Sequence, residues 1–248
     1  DKPFPLPSQS GVNIFVAGTF TMRLIEKYGL PEIGKNVLWL FDPLTDDLRA
    51  EVHRLKAELF LRIGEQFNGL IGMNNEICSY FKAHLNDIPR VKVPYTIDKK
   101  RIIPPDFHLG KDIDALHVGI ISSRRKKAMR QFQNSGASVI FIIGQLWNQV
   151  RVDAFARSRI GLHIHNDPHV YCYQHRIFEY WAAGLAVMSE ESGPLEQYGI
   201  VDGSKHLITA PVEKMCDACL NLLKNETMQH SLIENGQTLL KKKYAPDC

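Results

Sequence analysis

Short apolar runs alternate with amphipathic helical segments along the whole chain. The runs cover residues 12–17, 36–41, 69–73, 115–121, 138–143, 160–165 and 185–189. Runs of this length that are mostly apolar are typical of strands that are buried on both faces of a parallel sheet. Because the runs alternate with helical patterns, the sequence predicts an α/β fold.

Helical periodicity fills the intervals between these runs. The longest apolar stripe recurs every three or four residues and passes through Leu48, Val52, Leu55, Leu59, Ile63 and Phe67. It predicts one long helix with Asp46 and Asp47 in its first turn, where the helix dipole favours negative charge. Further helices are expected near 75–85, 124–134, 147–156, 175–183, 212–223 and 227–243.

The alternation breaks between residues 95 and 111, where prolines and cations replace the periodic pattern. Such a composition is typical of a linker between domains. We therefore expect two Rossmann-like domains, whose parallel sheets face a cleft. The first domain would span residues 1–95, the linker 96–111 and the second domain 112–248. In such sheets ligands bind beyond the carboxyl ends of the strands.

Composition narrows the class of protein. The 248 residues are 44% hydrophobic and 23% charged, which is ordinary for a globular protein, and a net charge of +3 is too small to indicate a nucleic-acid partner. No apolar stretch approaches the about 20 residues that cross a bilayer. Five cysteines without framework spacing favour a reducing compartment, so we expect a cytoplasmic location. The chain opens with Asp1 rather than Met, which leaves open further domains of a longer polypeptide.

A cationic loop follows the run at 115–121. Its Ser122, Ser123, Arg124 and Arg125 stand where a strand ends and a helix begins. Free backbone N–H groups, the positive end of a helix dipole and guanidinium forks together favour phosphate. The alternative is a solvated basic face of a helix.

Two more strand ends carry candidate ligand contacts. Gly144 and Gln145 follow the run at 138–143, where a glycine permits close approach to a ligand but is also an ordinary turn residue. His163 and His165 alternate along the next run, and His165 is expected at its carboxyl end. No Asp, Glu or Cys with ligand spacing joins the two histidines, so we expect no metal. Cys216 and Cys219 share an apolar helical stripe and are expected in the core.

Residues 176–190 read R-I-F-E-x-x-A-x-G-x-x-V-x-S-E, and a strand ending in L-H-I-H precedes them. Together with V-G-x-x-S-x-R-R at 118–125, this resembles the donor-binding domain of GT-B glycosyltransferases, in particular small glycosyltransferase-like proteins with a group-1-type C-terminal domain. The likeness covers about residues 112–243 and is only architectural over 1–110.

The resemblance implies a GT-B-like fold and a glycosyltransferase of hexosyltransferase type. It would move a sugar from a nucleoside diphosphate sugar to a hydroxyl of a glycan or polysaccharide, without a cofactor or metal. Glu179 would bind the ribose hydroxyls, and Arg124 and Arg125 the diphosphate. The remaining donor contacts that it implies are Tyr173, Gln174, His175, Arg176 and Ile177. Large retaining families carry another glutamate eight residues before the one that aligns with Glu179. This chain has Tyr171 there, so the resemblance leaves open whether the transfer retains or inverts the anomeric configuration.

The general base is expected at a strand end. Asp42 follows the run at 36–41 and is one candidate, although it also suits a turn before Pro43. His165 is the other, acting as a base or as a dipole toward the departing phosphate. Two alternatives remain: a sugar epimerase or phosphorylase of the same architecture, and a non-catalytic nucleotide-sugar-binding module of a larger protein.

Overall fold

A computed structural model describes residues 11–41, 44–104, 110–120, 122–142, 149–167, 175–191, 195–203 and 205–245. The chain divides into two compact units, residues 1–95 and 96–248. Each unit contains one parallel sheet and the helices that connect its strands. Among the described residues, no helix combines the length and the apolar character needed to cross a membrane.

The first unit has a four-stranded parallel sheet in the order β1-β2-β3-β4. Its elements are β1 (Val12–Ala17), α1 (Thr19–Tyr28), β2 (Lys35–Leu40), α2 (Glu51–Gly64), β3 (Gly69–Gly72), α3 (Asn75–His84) and β4 (Arg90–Lys92). The three strands expected from apolar runs are present. The sequence pattern did not predict α1, whose buried side chains are Met22 and Ile25, or β4, which has only three residues.

The helices of the first unit cover one face of its sheet. Successive parallel strands lie side by side, so right-handed connections place α1, α2 and α3 on the same face. Leu38 and Leu40 point into that face and are fully buried. On the opposite face, Val12, Ile14 and Val16 are 59%, 54% and 56% exposed. The described part of this unit therefore leaves an apolar sheet face largely uncovered.

The predicted boundaries of α2 were wrong. The helix begins at Glu51, so Leu48, at 80% exposure, lies outside it and outside the core. Asp47 accepts hydrogen bonds from the backbone N–H and the guanidinium of Arg49, and such a local turn competes with helix formation. Asp46 instead accepts a hydrogen bond of 2.9 Å from the hydroxyl of Tyr80.

The second unit has a five-stranded parallel sheet in the order β6-β5-β7-β8-β9. Its strands are β5 (Ile113–Val118), β6 (Val139–Ile142), β7 (Ser158–His163), β8 (Ala186–Glu190) and β9 (Ile208–Ala210). Its helices are α4 (Ser123–Asn134), α5 (Gln149–Arg157), α6 (His175–Ala182), α7 (Met215–Leu223) and α8 (Glu226–Leu239), and a π-helical turn at Leu240–Tyr244 follows. The four predicted strands are present, and β9 is an addition.

Residues 96–104 of the predicted linker are fixed to the second unit. The backbone N–H of Ile97 donates to Tyr244 O at 2.8 Å, and that of Ile103 donates to Ala182 O at 2.8 Å. The side chain of Gln237 donates to Ile103 O at 2.8 Å. This part of the predicted linker is therefore attached to the second unit by hydrogen bonds.

Cys216 and Cys219 lie in the hydrophobic core of the second unit, as predicted. They are 7% and 1% exposed and pack with the buried side chains of β7 and β8. Burial raises the pKa of the Cys219 thiol to about 12. Both residues therefore contribute apolar packing.

Candidate functional site

The strand order of the second unit creates a topological switch point between β5 and β7. From β5 the chain crosses to β6 on one side, and from β7 it crosses to β8 on the other. The loops at the carboxyl ends of β5 and β7 therefore diverge, and ligands bind at such points in open α/β sheets. Arg124 and Arg125 follow β5, whereas His165 and Glu179 follow β7. The sequence-predicted residues thus come from the two segments that flank the switch point.

Tyr180 bridges the two strands where they separate. The pairing of β5 with β7 ends at Leu116 and Gly161. Beyond it, the Tyr180 hydroxyl accepts a hydrogen bond of 3.1 Å from Val118 N and donates one of 3.1 Å to Leu162 O. Tyr180 is fully buried, and burial raises its pKa to about 12, so the hydroxyl keeps the proton that it donates.

Two buried histidines line the same strand ends in their neutral form. Nδ1 of His117 lies 2.9 Å from Leu162 O and must carry the proton, because a carbonyl only accepts. Nδ1 of His163 lies 3.0 Å from Ser189 Oγ, whose own proton goes to Glu190 O, so this nitrogen is also the donor. Burial lowers the pKa of His117 to about 3 and that of His163 well below its usual value.

The cationic loop forms the start of α4. Ser122 is the N-cap residue, and its hydroxyl accepts a hydrogen bond of 3.3 Å from the backbone N–H of Arg125. Ser123 is exposed as the first residue of the helix. The first turn contains no acidic residue to neutralise the helix dipole. The amino end of α4 is therefore electropositive.

Arg124 forms a bidentate ion pair with Glu190, the last residue of β8. Nη1 donates to Oε2 at 2.6 Å, and Nη2 donates to Oε1. Nη1 also donates to the backbone carbonyl of His165 at 3.2 Å. The side chains of Arg124 and Glu190 are 23% and 8% exposed. Arg124 is thus held at the switch point by a buried carboxylate.

Arg125 is directed at backbone carbonyls. Nε and Nη2 donate to Ile164 O at 2.9 and 2.6 Å, and Nη1 donates to Ile120 O at 2.7 Å. These bonds connect the segment after β5 to the segment after β7. The sequence offers no reason to distinguish the two arginines, but their partners differ. Arg124 pairs with a carboxylate, whereas Arg125 holds the segments after β5 and β7 together through their backbone carbonyls.

His165 follows the end of β7 and is 3% exposed. Its backbone N–H donates to Oε2 of Glu190 at 2.9 Å, and its ring lies edge-on to His163 with centroids 4.9 Å apart. Within the described residues neither ring nitrogen has a hydrogen-bond partner. Burial lowers its pKa, so at neutral pH the ring offers one donor and one acceptor.

Glu179 lies between two arginines. Its Oε2 accepts from Nη2 of Arg151 in α5 at 2.6 Å and also from Nη1 of Arg176 in α6. Its Oε1 accepts no hydrogen bond from the described residues, and the side chain is 17% exposed.

Two further predicted residues belong to α6. His175 is its first residue, and its pKa is lowered to about 3, chiefly by burial and then by the positive charges of Arg176 and Arg151. Ile177 is fully buried, so its side chain belongs to the core.

Several predicted residues lie outside the described residues, and their placement stays a prediction. They are Asp42, Gly144, Gln145, Tyr173 and Gln174. In the described part of the chain, no three His, Cys, Asp or Glu side chains form a group that could hold a metal ion.

Sequence reasoning missed Glu190 and Arg151. Glu190 ends a strand whose five residues are all buried, and a carboxylate in such a run requires a cation partner. A carboxylate at the end of an apolar run can be recognised in the sequence, although the run does not show which cation pairs with it. Arg151 stands in an ordinary amphipathic helix, and its pairing with a residue 28 positions away left no local pattern.

The fold of the chain is that of the GT-B glycosyltransferases. Its structure is similar to TarM from S. aureus, with a TM-score of 0.63 and 9% identity over 94% of this chain. It is also similar to sucrose-phosphate synthase from Thermosynechococcus elongatus (TM-score 0.64, 11% identity, 96% of this chain). A third similar structure is HepE from Anabaena in complex with UDP-glucose (TM-score 0.64, 11% identity, 94% of this chain).

The chain belongs to the glycosyl transferase-like family, which matches residues 111–247, more than half of its length. It is 24% identical over 125 residues to an uncharacterized protein of Acanthamoeba polyphaga mimivirus. The match covers 47% of this chain and 14% of the viral protein, and the chain spans 52% of TarM, 70% of the synthase and 74% of HepE.

Proposed function

We propose that the chain binds a nucleoside diphosphate sugar at the switch point of its second unit and transfers the sugar, a hexose, to a hydroxyl of a glycan acceptor. The observation that carries this proposal is the group formed by the amino end of α4, Arg124 and His165 beside the carboxyl ends of β5 and β7. Helix amides and a guanidinium are suited to a diphosphate. TarM and HepE, which share the fold, have been crystallised with UDP and UDP-glucose.

Glu179 is the proposed partner of the ribose. Its Oε2 is fixed by two arginines, whereas Oε1 has no partner among the described residues. A carboxylate oriented in this way accepts hydrogen bonds from vicinal hydroxyls at little further cost in side-chain entropy.

The transfer forms a bond between the acceptor oxygen and the anomeric carbon, and it breaks the bond from that carbon to the donor phosphate oxygen. The electron pair of the broken bond leaves with the diphosphate, where Arg124 and the amides of α4 stabilise it. His165, which is neutral at pH 7, would donate a hydrogen bond to the departing phosphate. The acceptor proton passes to a general base, for which Asp42 remains the candidate. The first unit is the proposed acceptor domain.

We also propose that the reaction needs no metal ion, because Arg124 and the helix amides would donate hydrogen bonds to the departing phosphate where a divalent cation would otherwise act. Turnover of the donor should then be unchanged by a chelator such as EDTA. A loss of activity that Mg²⁺ or Mn²⁺ restores would contradict this part of the proposal.

Ligand binding followed by turnover tests the function. Thermal unfolding would be measured with UDP, GDP, ADP and TDP, since a ligand at 100 times its dissociation constant adds about 2.7 kcal/mol to stability. One of the four should raise the unfolding temperature clearly, and the matching nucleotide sugar should be hydrolysed slowly. Binding without hydrolysis or transfer would favour a non-catalytic binding module, and four inert nucleotides would reject the proposal.

A further inference from the structure

Glu190 links two proposed site residues that are far apart in the sequence. It is 66 residues from Arg124 and 25 residues from His165. Its Oε1 accepts from Nη2 of Arg124, and its Oε2 accepts from Nη1 of Arg124 and from the backbone N–H of His165. One carboxylate therefore fixes the guanidinium and the start of the loop after β7 together.

The burial of this carboxylate indicates that its partners are specific. Glu190 ends a strand that is buried along its whole length, and its side chain is 8% exposed. Removing a carboxylate from water is costly unless it is paired and hydrogen-bonded. Both oxygens of Glu190 are satisfied by the two proposed site residues. The adjacent Glu191 is exposed.

The hydrogen bonds of Arg124 leave one edge of its guanidinium available. A guanidinium has five N–H donors. Nη1 uses both of its protons, on Glu190 and on the His165 carbonyl, and Nη2 uses one. The remaining two donors, Nε–H and the second Nη2–H, lie side by side and have no partner among the described residues. Two parallel donors of this kind match a pair of phosphate oxygens.

We propose that Glu190 is a positioning residue that presents this open edge of Arg124 to the donor diphosphate. The inference rests on the proposed function, because the ligand is the diphosphate of the nucleotide sugar. Glu190 occupies the Nη1–Nη2 edge and the phosphate takes the Nε–Nη2 edge, so the two anions bind Arg124 together and do not compete. Glu190 touches neither substrate nor reacting atoms, and it acts through Arg124 and the backbone of His165.

The test compares Glu190→Gln with the matched control Glu191→Gln, which changes the neighbouring exposed carboxylate. Binding of UDP, GDP, ADP and TDP, each beside its own nucleoside, would be measured by calorimetry. Because the amide of glutamine cannot accept on both sides, Glu190→Gln should weaken diphosphate binding about tenfold or more and leave nucleoside binding unchanged. Glu191→Gln should change neither.

Side-chain NMR of Arg124 provides a readout that needs no ligand. In the wild-type chain its Nη–H signals should be resolved, since the ion pair with Glu190 slows rotation of the guanidinium, and they should average in Glu190→Gln. Assignment would use their disappearance in Arg124→Lys. If Glu190→Gln fails to fold, Glu190→Asp keeps the buried charge, retracts it by one methylene and supports the same comparison.

Three results would overturn the inference while leaving the proposed function intact. They are unchanged diphosphate binding in Glu190→Gln, tighter diphosphate binding, and equal loss of the nucleoside and the diphosphate. Tighter binding would mean that Glu190 competes with phosphate for Arg124. If the wild-type chain binds none of the four diphosphates, the proposed function fails, and with it the role assigned to Glu190.

Discussion

The ring of Tyr180 lies directly against Gly161. A Cβ built on Gly161 would come within 2.3 Å of Cγ of Tyr180 and within 2.7 Å of two further ring carbons. Because Gly161 has no side chain, the ring of Tyr180 can lie against β7 and place its hydroxyl between Val118 N and Leu162 O. Because these bonds bridge β5 and β7 at the switch point, the geometry of the candidate site depends on this glycine.

Gly161→Ala should therefore destabilise the protein. Tyr180 is fully buried and cannot move away from a methyl group without breaking its bridge. Overpacking of this kind costs about 1–3 kcal/mol. Urea denaturation would measure the effect, with Gly110→Ala as the control, since a Cβ at Gly110 meets nothing within 4 Å. Equal stability of the two variants would mean that the ring has room to shift.

The two faces of the first sheet should respond differently to substitution. Leu38 is fully buried under the helices, whereas Ile14 on the neighbouring strand is 54% exposed on the opposite face. Leu38→Ala should cost about 2–5 kcal/mol, and Ile14→Thr should stay within about 0.5 kcal/mol of the wild type. Chemical denaturation of both variants checks this. A loss above about 1 kcal/mol for Ile14→Thr would show that something covers this face.

The sequence predicted the sheets better than the ends of their helices. Strands such as β1 carry enough consecutive apolar residues to be recognised, but β4 and β9, with three residues each, give too short a pattern. The start of α2 was misplaced because the hydrogen bonds of Asp47 with Arg49 replace the expected first helical turn. Helix propensity and hydrophobic periodicity do not take account of side-chain hydrogen bonds to the local backbone, which compete with helix formation.

The candidate site was predicted only as far as local chemistry allows. A strand end followed by Ser122–Arg125 indicates a phosphate-binding helix start, and α4 begins there. The division of roles between Arg124 and Arg125 depends on partners at Glu190 and Ile164, which lie 66 and 39 residues away. Only the folded chain brings those partners together.

The buried histidines should make the stability of the second unit depend on pH. Burial lowers the pKa of His117 and His175 to about 3 and lowers that of His163 and His165 as well. Below pH about 6.5 the unfolded chain takes up protons on these residues and the folded chain does not. The free energy of unfolding should therefore be highest above that pH and fall as the pH decreases below it, more steeply the more of these histidines stay neutral in the folded chain.

Urea denaturation monitored by circular dichroism between pH 7.5 and 5 would measure this slope. His117→Asn is the informative variant, because the Nδ2–H of asparagine can donate to Leu162 O in place of the Nδ1–H of His117. It removes one titrating group and should reduce the slope by about one proton. A profile that is flat below pH 6.5 would contradict the neutral state of the histidines.

Glu179→Gln should distinguish a ribose ligand from a structural ion pair. If Oε1 of Glu179 accepts from ribose hydroxyls, the variant should bind a ribonucleoside diphosphate about tenfold more weakly and bind its 2′,3′-dideoxy analogue as well as the wild type does. The substitution also leaves Arg151 and Arg176 without their shared carboxylate, so a loss of packing between α5 and α6 would affect both ligands equally. Calorimetric titration with the two ligands gives the ratio of their dissociation constants in the variant and in the wild type. Glu234→Gln, on the exposed face of α8, serves as the control. Equal weakening would assign Glu179 to the scaffold of the site and remove it from the ribose contact.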